Sequence, residues 1–376
     1  MRVALVSGYD WEVFGGVQSQ VRDLARQLRR LGETVLVLSP GRPPATGEEQ
    51  HGLLETAGRA ISVPANGSRA PISPGPAAFG RTLARLSAFV PEVVHVHEPL
   101  LPGPPLAALL FSPAPVVGTF HRAGADALYR LEGHLLKGPA RRRMKAVTAV
   151  SPAARETAEE VLGPFPSLVE LPNGVDLARF EALRLSRSST FKDPAGPLLA
   201  CLGRLEDRKG LAVLLDAMRL LGRPCRLVVI GDGPARAELE LQAASIAGVS
   251  FLGALPDEEA ARLVAAADCF VAPALRGESF GIVLLEAMAA GTAVAASDIP
   301  GYSLAAGGAA QLFPPGDAAA LAETLRRLLS DRARREELVA AGLARAARCS
   351  ITEVARGYVE IYRSVVASPR SSRAAS

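Results

Sequence analysis

Short hydrophobic runs alternate with helix-period stretches along most of this chain. Val3-Ala4-Leu5-Val6 reads as a strand and is followed by a loop ending in Gly15-Gly16. Val17, Val21, Leu24, Leu28 and Leu31 then share one helical face, with Arg22, Arg26, Arg29 and Arg30 largely off it. Val35-Leu36-Val37-Leu38 follows as a second strand, completing a βαβ unit. Residues Gly41 to Pro76 are rich in Gly, Pro and Ala and read as loops, with little period beyond Ala60–Pro64. A helix is predicted from about Ala77 to Phe89, then strands at Val93–His97, Val116–Phe120 and Ala146–Val150. The last of these runs into a Ser151-Pro152 helix cap.

The pattern restarts after Leu171-Pro172-Asn173-Gly174-Val175-Asp176. Strands are predicted at Leu198–Leu202, Arg226–Ile230, Val249–Gly253 and Cys269–Pro273, with helices from Leu211 and from about Phe280 to the stop at Gly291. Helices at Ala318–Leu329 and Arg332–Ala347 precede a final one at Ile351–Val366. Its Val354, Tyr358, Ile361, Tyr362 and Val365 fall at helical spacing. That segment is long enough to cross back onto the first half. The expected class is α/β, with two Rossmann-like βαβ domains at 1–171 and 172–350, residues 351–368 packing back onto the first, and a disordered tail at 369–376.

Composition narrows the function classes. A net charge of +4 permits an anionic ligand or membrane surface but lacks the dense basic, aromatic-laced stripes of a nucleic-acid binder. Cys201, Cys225, Cys269 and Cys349 are scattered without metal or redox spacing, which suits reduced thiols in a cytosolic protein. The longest uncharged run, Pro99 to His121, contains five further prolines beyond its first residue, from Pro102 to Pro115, so no spanning helix is expected there. Any membrane contact would be peripheral. No oligomer is predicted.

Candidate chemistry gathers at Gly277–Gly291. Placed after a strand, the amides near Phe280 and Gly281 would attract an anion such as phosphate. Glu278 and Glu286 bracket it and are better suited to accept from sugar hydroxyls. Arg204 and Lys209, also after a strand, could neutralise a diphosphate, and on charge alone could equally be surface ion pairs. Gly15-Gly16 is not a G-x-G-x-x-G fingerprint, which disfavours a nicotinamide cofactor; it fits a ligand-approach turn and a plain tight turn alike. His121, just past a buried strand, would point into the ligand crevice or serve structurally. His95 and His97 share a strand face without a third ligand at suitable spacing, so they read as hydrogen-bonded and no metal is assigned. Lys137, Arg141, Arg142, Arg143 and Lys145 read as a solvated helix face, with a membrane-attracting patch as the alternative.

With these residues in hand, the chain resembles the retaining glycosyltransferases of family 4, of GT-B architecture, over nearly its whole length. The resemblance rests on the E-x7-E pattern of Glu278 and Glu286 around Ser279-Phe280-Gly281-Ile282. In order before it come Pro172-Asn173-Gly174-Val175-Asp176, Gly203-Arg204 with Arg208-Lys209-Gly210, and Gly231-Asp232-Gly233. Within that family, the chain resembles actinobacterial phosphatidylinositol mannosyltransferases. The matching residues are Gly8-Tyr9, Gly15 to Ser19, His95 to Pro99, Gly118 to His121 and Gly277 to Ala290. The resemblance implies two domains facing an interdomain cleft. It implies that Gly16, Arg204 and Lys209 hold the donor pyrophosphate, that Glu286 binds the donor ribose, and that Glu278 with Ser279, Phe280, Gly281 and Ile282 holds the sugar. His121 would lie at the reacting centre, and Tyr9 and Gln18 would meet the inositol head group.

The implied reaction moves mannose from GDP-mannose to a phosphatidylinositol-type lipid with retained configuration. It needs no cofactor beyond the nucleotide sugar, and it would take place at the cytoplasmic face of the cell membrane. No Asp-x-Asp occurs, in keeping with metal independence. A double displacement needs a carboxylate at the anomeric carbon. Glu278 is the one obvious candidate, and its family role is to hold sugar hydroxyls. The favoured route is therefore a same-face substitution, with the departing phosphate acting as base. Alternatives are a UDP-glucose or UDP-N-acetylglucosamine donor, another acceptor, or a GT-B epimerase or hydrolase. Two departures fall on the acceptor side. The helix before the His-x-His strand carries only Arg81 and Arg85 where relatives carry a dense basic cluster, and Leu100 stands where they carry a polar amide.

Overall fold

The computed structural model describes residues 1–13, 15–41, 54–65, 68–185 and 196–367. Two compact units divide the chain: Met1–Pro172 with the segment from Ile351 onward, and Asn173–Ser350. The tail expected at 369–376 lies outside the described residues.

The first unit runs β1 (Arg2–Val6), α1 (Gly16–Arg30), β2 (Thr34–Ser39), β3 (Leu54–Thr56), β4 (Ile61–Ala65), β5 (Ser68–Ile72), α2 (Pro76–Phe89), β6 (Val93–His97), α3 (Pro104–Phe111), β7 (Val116–Phe120), α4 (Ala127–Arg143), β8 (Met144–Ala149), α5 (Pro152–Leu162) and β9 (Val169–Glu170). The second unit adds α6 (Leu177–Leu185), β10 (Leu198–Leu202), α7 (Leu211–Leu220), β11 (Arg226–Ile230), α8 (Arg236–Ala243), β12 (Val249–Gly253), α9 (Asp257–Ala266), β13 (Cys269–Ala272), α10 (Ile282–Ala289), β14 (Ala293–Ser297), α11 (Pro300–Ala306), β15 (Gln311–Phe313), α12 (Ala318–Ser330) and α13 (Arg332–Arg348). The chain closes with α14 (Ile351–Ala367), which belongs to the first unit.

Each unit is built on one parallel sheet. The strand orders are β3-β2-β1-β6-β7-β8-β9 and β12-β11-β10-β13-β14-β15. Both carry the Rossmann arrangement, in which the strand order reverses beside the unit's first strand. That leaves a crevice at the carboxyl ends of β1 and β6 in one unit and of β10 and β13 in the other. The buried strands read as near-continuous apolar runs because helices cover both faces of a parallel sheet.

The final helix is held to the first unit by its apolar stripe. Val354, Tyr358, Val359 and Tyr362 share a buried cluster with Val21, Leu24 and Leu28 of α1 and with Val3, Leu5 and Val93 of the sheet. Fully burying a Val- or Leu-sized side chain stabilises by about 1.5–3 kcal/mol, so this stripe is the main attraction holding α14 to the first unit.

Two expectations need correction. Gly41 to Pro76 is not only loop: β3 joins the main sheet beside β2, and β4 pairs antiparallel with β5 from Ile61↔Ile72 to Ala65↔Ser68. The two hairpin strands lie in a Pro-containing stretch, where period-2 patterning is weak. Within the proline-interrupted run, Pro104 and Pro105 open the short α3, since the first helical turn needs no N–H from them, and among the described residues no helix is long and apolar enough to cross a membrane. The ligand helix begins at Ile282 rather than Phe280, because Gly281 adopts the left-handed region at φ 86°.

Candidate active site

In the second unit, loops from the ends of β10 and β13 meet at the crevice where the strand order reverses. After β10, Gly203-Arg204-Leu205-Glu206 leads into a single 3-10 turn, Asp207–Lys209, ended by Gly210 at φ 66°. A Cβ at Gly210 would run into the carbonyl oxygen of Pro273, so only glycine lets the two loops lie this close. The Leu275 N–H donates to the Arg208 carbonyl at 2.8 Å and ties them together.

A chain of alternating charges spans this junction. Buried Glu206 accepts from Arg204 Nε on one oxygen and from Arg208 Nε on the other, each at 3.1 Å. Arg208 reaches on to Glu278 Oε1 at 3.1 Å, and Lys209 Nζ meets the same oxygen at 2.6 Å. Arg204, Lys209 and Glu278 are therefore brought together as expected from their positions. Both cations are ion-paired, as the alternative reading allowed. Three cations face two carboxylates, so the cluster retains positive charge.

Arg208 and Glu206 are the links that spacing alone does not reveal. Arg208 stands between two more conspicuous basic positions. Glu206 had no signal beyond its place in the loop.

The β13 loop continues into α10. Ser279 is half-buried, and Phe280, Gly281 and Ile282 are buried. Gly281 packs against the buried Tyr302, whose Cδ1 would lie 2.6 Å from a Cβ added there. Along α10 every residue is buried except Val283 and Glu286, which are half-buried and three apart, so Glu286 occupies the helix's one partly open face.

The backbone of the Glu278 loop is pressed against Gly301, in the first turn of α11. A Cβ at Gly301 would run into the carbonyl oxygen of Glu278 and lie 2.7 Å from its carbonyl carbon. Gly301→Ala is therefore expected to lower stability by about 1–3 kcal/mol and displace Glu278. Thermal melts and calorimetric titration with a nucleoside diphosphate check this; a variant unchanged in both would contradict it.

In the first unit, β1, β6 and β7 deliver the other predicted residues. Tyr9 follows β1 and pairs in an isolated antiparallel bridge with Ile72, while Ser39 Oγ donates to its carbonyl at 2.6 Å. Burial raises its phenol pKa, with a smaller contribution from the nearby Glu98 carboxylate. Gln18, buried in the first turn of α1, donates through Nε2 to the Asp10 carbonyl at 3.1 Å and so braces the Tyr9 loop. Gly16 is exposed at the start of that helix.

The histidines are tied into a buried network. His95 Nδ1 meets Tyr362 Oη of α14 at 2.7 Å, and its Nε2 meets Thr119 Oγ1 at 2.6 Å. His97 Nδ1 meets His121 Nε2 at 2.9 Å. Burial lowers all three pKa values, His95 and His121 to about 3. In a neutral pair only one ring donates across the shared bond. The outer atoms, His97 Nε2 and His121 Nδ1, have no partner among the described residues. The pair therefore presents one N–H and one bare nitrogen, both buried.

Glu98 holds this pair from behind. It sits at φ 55°, a left-handed conformation that a non-glycine residue adopts at a cost. Its Oε1 accepts the His121 N–H at 2.6 Å and its Oε2 accepts from Tyr129 Oη at 3.3 Å. Burial raises its pKa, against the lowering effect of those bonds and of Arg122. Leu100, two residues on, is fully buried and offers no polar group. No grouping of three metal-ligating side chains occurs among the described residues.

Comparison with known proteins agrees with this architecture. Residues 14–179 match the family model described as Glycosyltransferase Family 4, and residues 184–345 that of Glycosyl transferases group 1. A phosphatidyl-myo-inositol mannosyltransferase of Mycobacterium tuberculosis (strain ATCC 25618 / H37Rv) is 38% identical over 380 residues, covering 98% of each chain. Among solved structures, Anabaena HepE in complex with UDP and glucose superposes with a TM-score of 0.76 at 18% identity, covering 96% of this chain and 99% of that one. Sucrose-phosphate synthase from Thermosynechococcus elongatus also gives 0.76, at 23% identity, over 98% and 100%. Two Rossmann-type sheets and matches along almost the full length place the chain in glycosyltransferase family 4, as a glycosyltransferase of GT-B fold.

Proposed function

We propose that this enzyme transfers mannose from GDP-mannose to a phosphatidylinositol-type lipid, with retention of configuration. The observation that carries the donor half is the convergence of Arg204, Arg208 and Lys209 with Glu278 beside the start of α10. Leaving-group charge builds on a diphosphate when the sugar–phosphate bond breaks, and preorganised cations with helix-start amides stabilise it without further reorganisation. Glu278, already bonded to Lys209, is oriented to accept from sugar hydroxyls while Lys209 turns to phosphate. Glu286 is assigned to the ribose, and Gly16 to close approach of the pyrophosphate. Neutral His121 offers a hydrogen bond to the transferred sugar rather than a proton, since burial keeps it uncharged at neutral pH. Mannose and inositol enter this reading through the mannosyltransferase relative, whose name carries both. Tyr9 and Gln18 are assigned to the acceptor head group.

Proton NMR of the purified lipid product tests the reaction: an α-mannoside is expected, and a β-anomer would exclude retention. Glu286→Ala is expected to weaken donor binding by about 10–100-fold, the loss of a hydrogen bond to a charged group. Unaltered donor affinity in calorimetry would count against the ribose contact.

A further inference from the structure

Three leucines of α4 stand in solvent. Leu128, Leu131 and Leu135 are 60%, 54% and 68% exposed, and their i, i+3, i+7 spacing lines them along one face. Tyr129, Gly133 and Ala140 take the buried side, with Gly133 against Val161 of α5. A stripe of large apolar side chains on a surface marks an interaction site.

Charge identifies the kind of partner. Residues 127–145 hold six Lys and Arg against a single acid, Glu132. Arg130 is matched by Glu160 at 2.6 Å. Arg141 and Arg143 donate to backbone carbonyls, which fixes their positions and leaves their charge uncompensated. Lys137, Arg142 and Lys145 are exposed and have no ion-pair partner among the described residues. Arg143 bonds to the carbonyls of Leu109 and Ser112, which sets the 59%-exposed Phe111 beside the basic end of the helix.

The helix before the His-x-His strand is the weaker candidate. Of its two arginines, Arg85 is held by Glu55 at 2.5 Å. A second copy of this chain fits α4 poorly, because a symmetric contact would press like charge against like.

We infer that the outer face of α4 docks on an anionic lipid bilayer, with the leucines at the headgroup–acyl boundary and Arg142, seven residues after Leu135 and in line with the stripe, on a lipid phosphate; Lys137, near the packed side of the helix, and Lys145, in β8, add longer-range attraction. This deepens the lipid-acceptor reading and takes its purpose from it. It assigns the docking role to a helix other than the one whose basic cluster is thinned.

Vesicle co-sedimentation of the full chain tests it, with phosphatidylinositol-containing vesicles against phosphatidylcholine alone. The wild type is expected to bind only the anionic vesicles. Lys137→Glu/Arg142→Glu/Lys145→Glu should lower that partitioning at least fivefold, since a cation near an anionic surface contributes about fivefold and Arg142 lies on the docking face. Leu128→Ser/Leu131→Ser/Leu135→Ser should lower it at least tenfold, and Leu241→Ser, exposed on α8, should not change it. Both triple variants should melt as the wild type and keep turnover on a short-chain, monomeric phosphatidylinositol.

Wild-type partitioning in both triple variants would overturn the inference. So would a change of oligomeric state in the leucine variant with vesicle binding intact, which would reassign the face to self-association. Variant-sensitive vesicle binding without any mannosyl transfer would keep the docking face and reject the acceptor reading instead.

Discussion

Replacing Lys209 with alanine is expected to lower turnover by about 10²–10³-fold, the usual effect of deleting one preorganised donor to a developing anion. Lys209 ends the short turn after β10, and its ammonium lies 2.6 Å from Glu278. Its loss acts twice: the diphosphate loses a cation, and Glu278 is left to Arg208 alone, 3.1 Å away. Arginine would not restore the site fully, because its planar fork delivers charge with different geometry. Calorimetric titration with the nucleoside diphosphate separates the two effects. Near-normal affinity for the diphosphate in Lys209→Ala would sink the phosphate-clamp role.

Acidification is expected to destabilise the first unit well before general acid unfolding. His95 and His121 titrate near pH 3 in the fold and near 6.5 when unfolded, and His97 is shifted the same way. Between those values the unfolded chain binds more protons, so stability rises with pH. The contribution is fully present above about pH 6.5 and is lost as pH falls toward 3. From pH 7 to pH 5 each histidine costs about 2 kcal/mol, so His95 and His121 alone remove about 4 kcal/mol. Glu98, shifted upward, acts in the opposite sense in the window just above the ordinary carboxylate value. Trp11, the one tryptophan of the sequence, is buried in this unit's core, so its fluorescence in denaturant titrations reports the change. Equal stability at pH 7 and pH 5 would contradict the neutral-histidine network.

Sequence patterning showed the two βαβ units and the crossing helix well, because strands buried on both faces and one-sided helices leave strong periods. The crevice loops were legible where their residues carry charge or glycine, at Arg204, Lys209, Gly281 and Glu278. Features whose meaning lies in tertiary contact were not. Gly301 shows no local reason to be glycine, because the atom it must avoid is the carbonyl of Glu278. Glu98 carries no signal for its left-handed backbone or for its bond to the His121 amide. The exposed leucines of α4 are interspersed with Arg130, Glu132 and His134 in sequence, and only burial separates the stripe that faces water from the side that packs.

One donor-by-acceptor panel tests the proposed reaction most directly. The purified protein is given GDP-mannose, UDP-glucose or UDP-N-acetylglucosamine, with and without phosphatidylinositol vesicles, and the lipid fraction is analysed by mass spectrometry. The account predicts a single added hexose on phosphatidylinositol from GDP-mannose and none from either UDP-sugar. Transfer from a UDP-sugar, or of mannose to other acceptors but never to phosphatidylinositol, would contradict it.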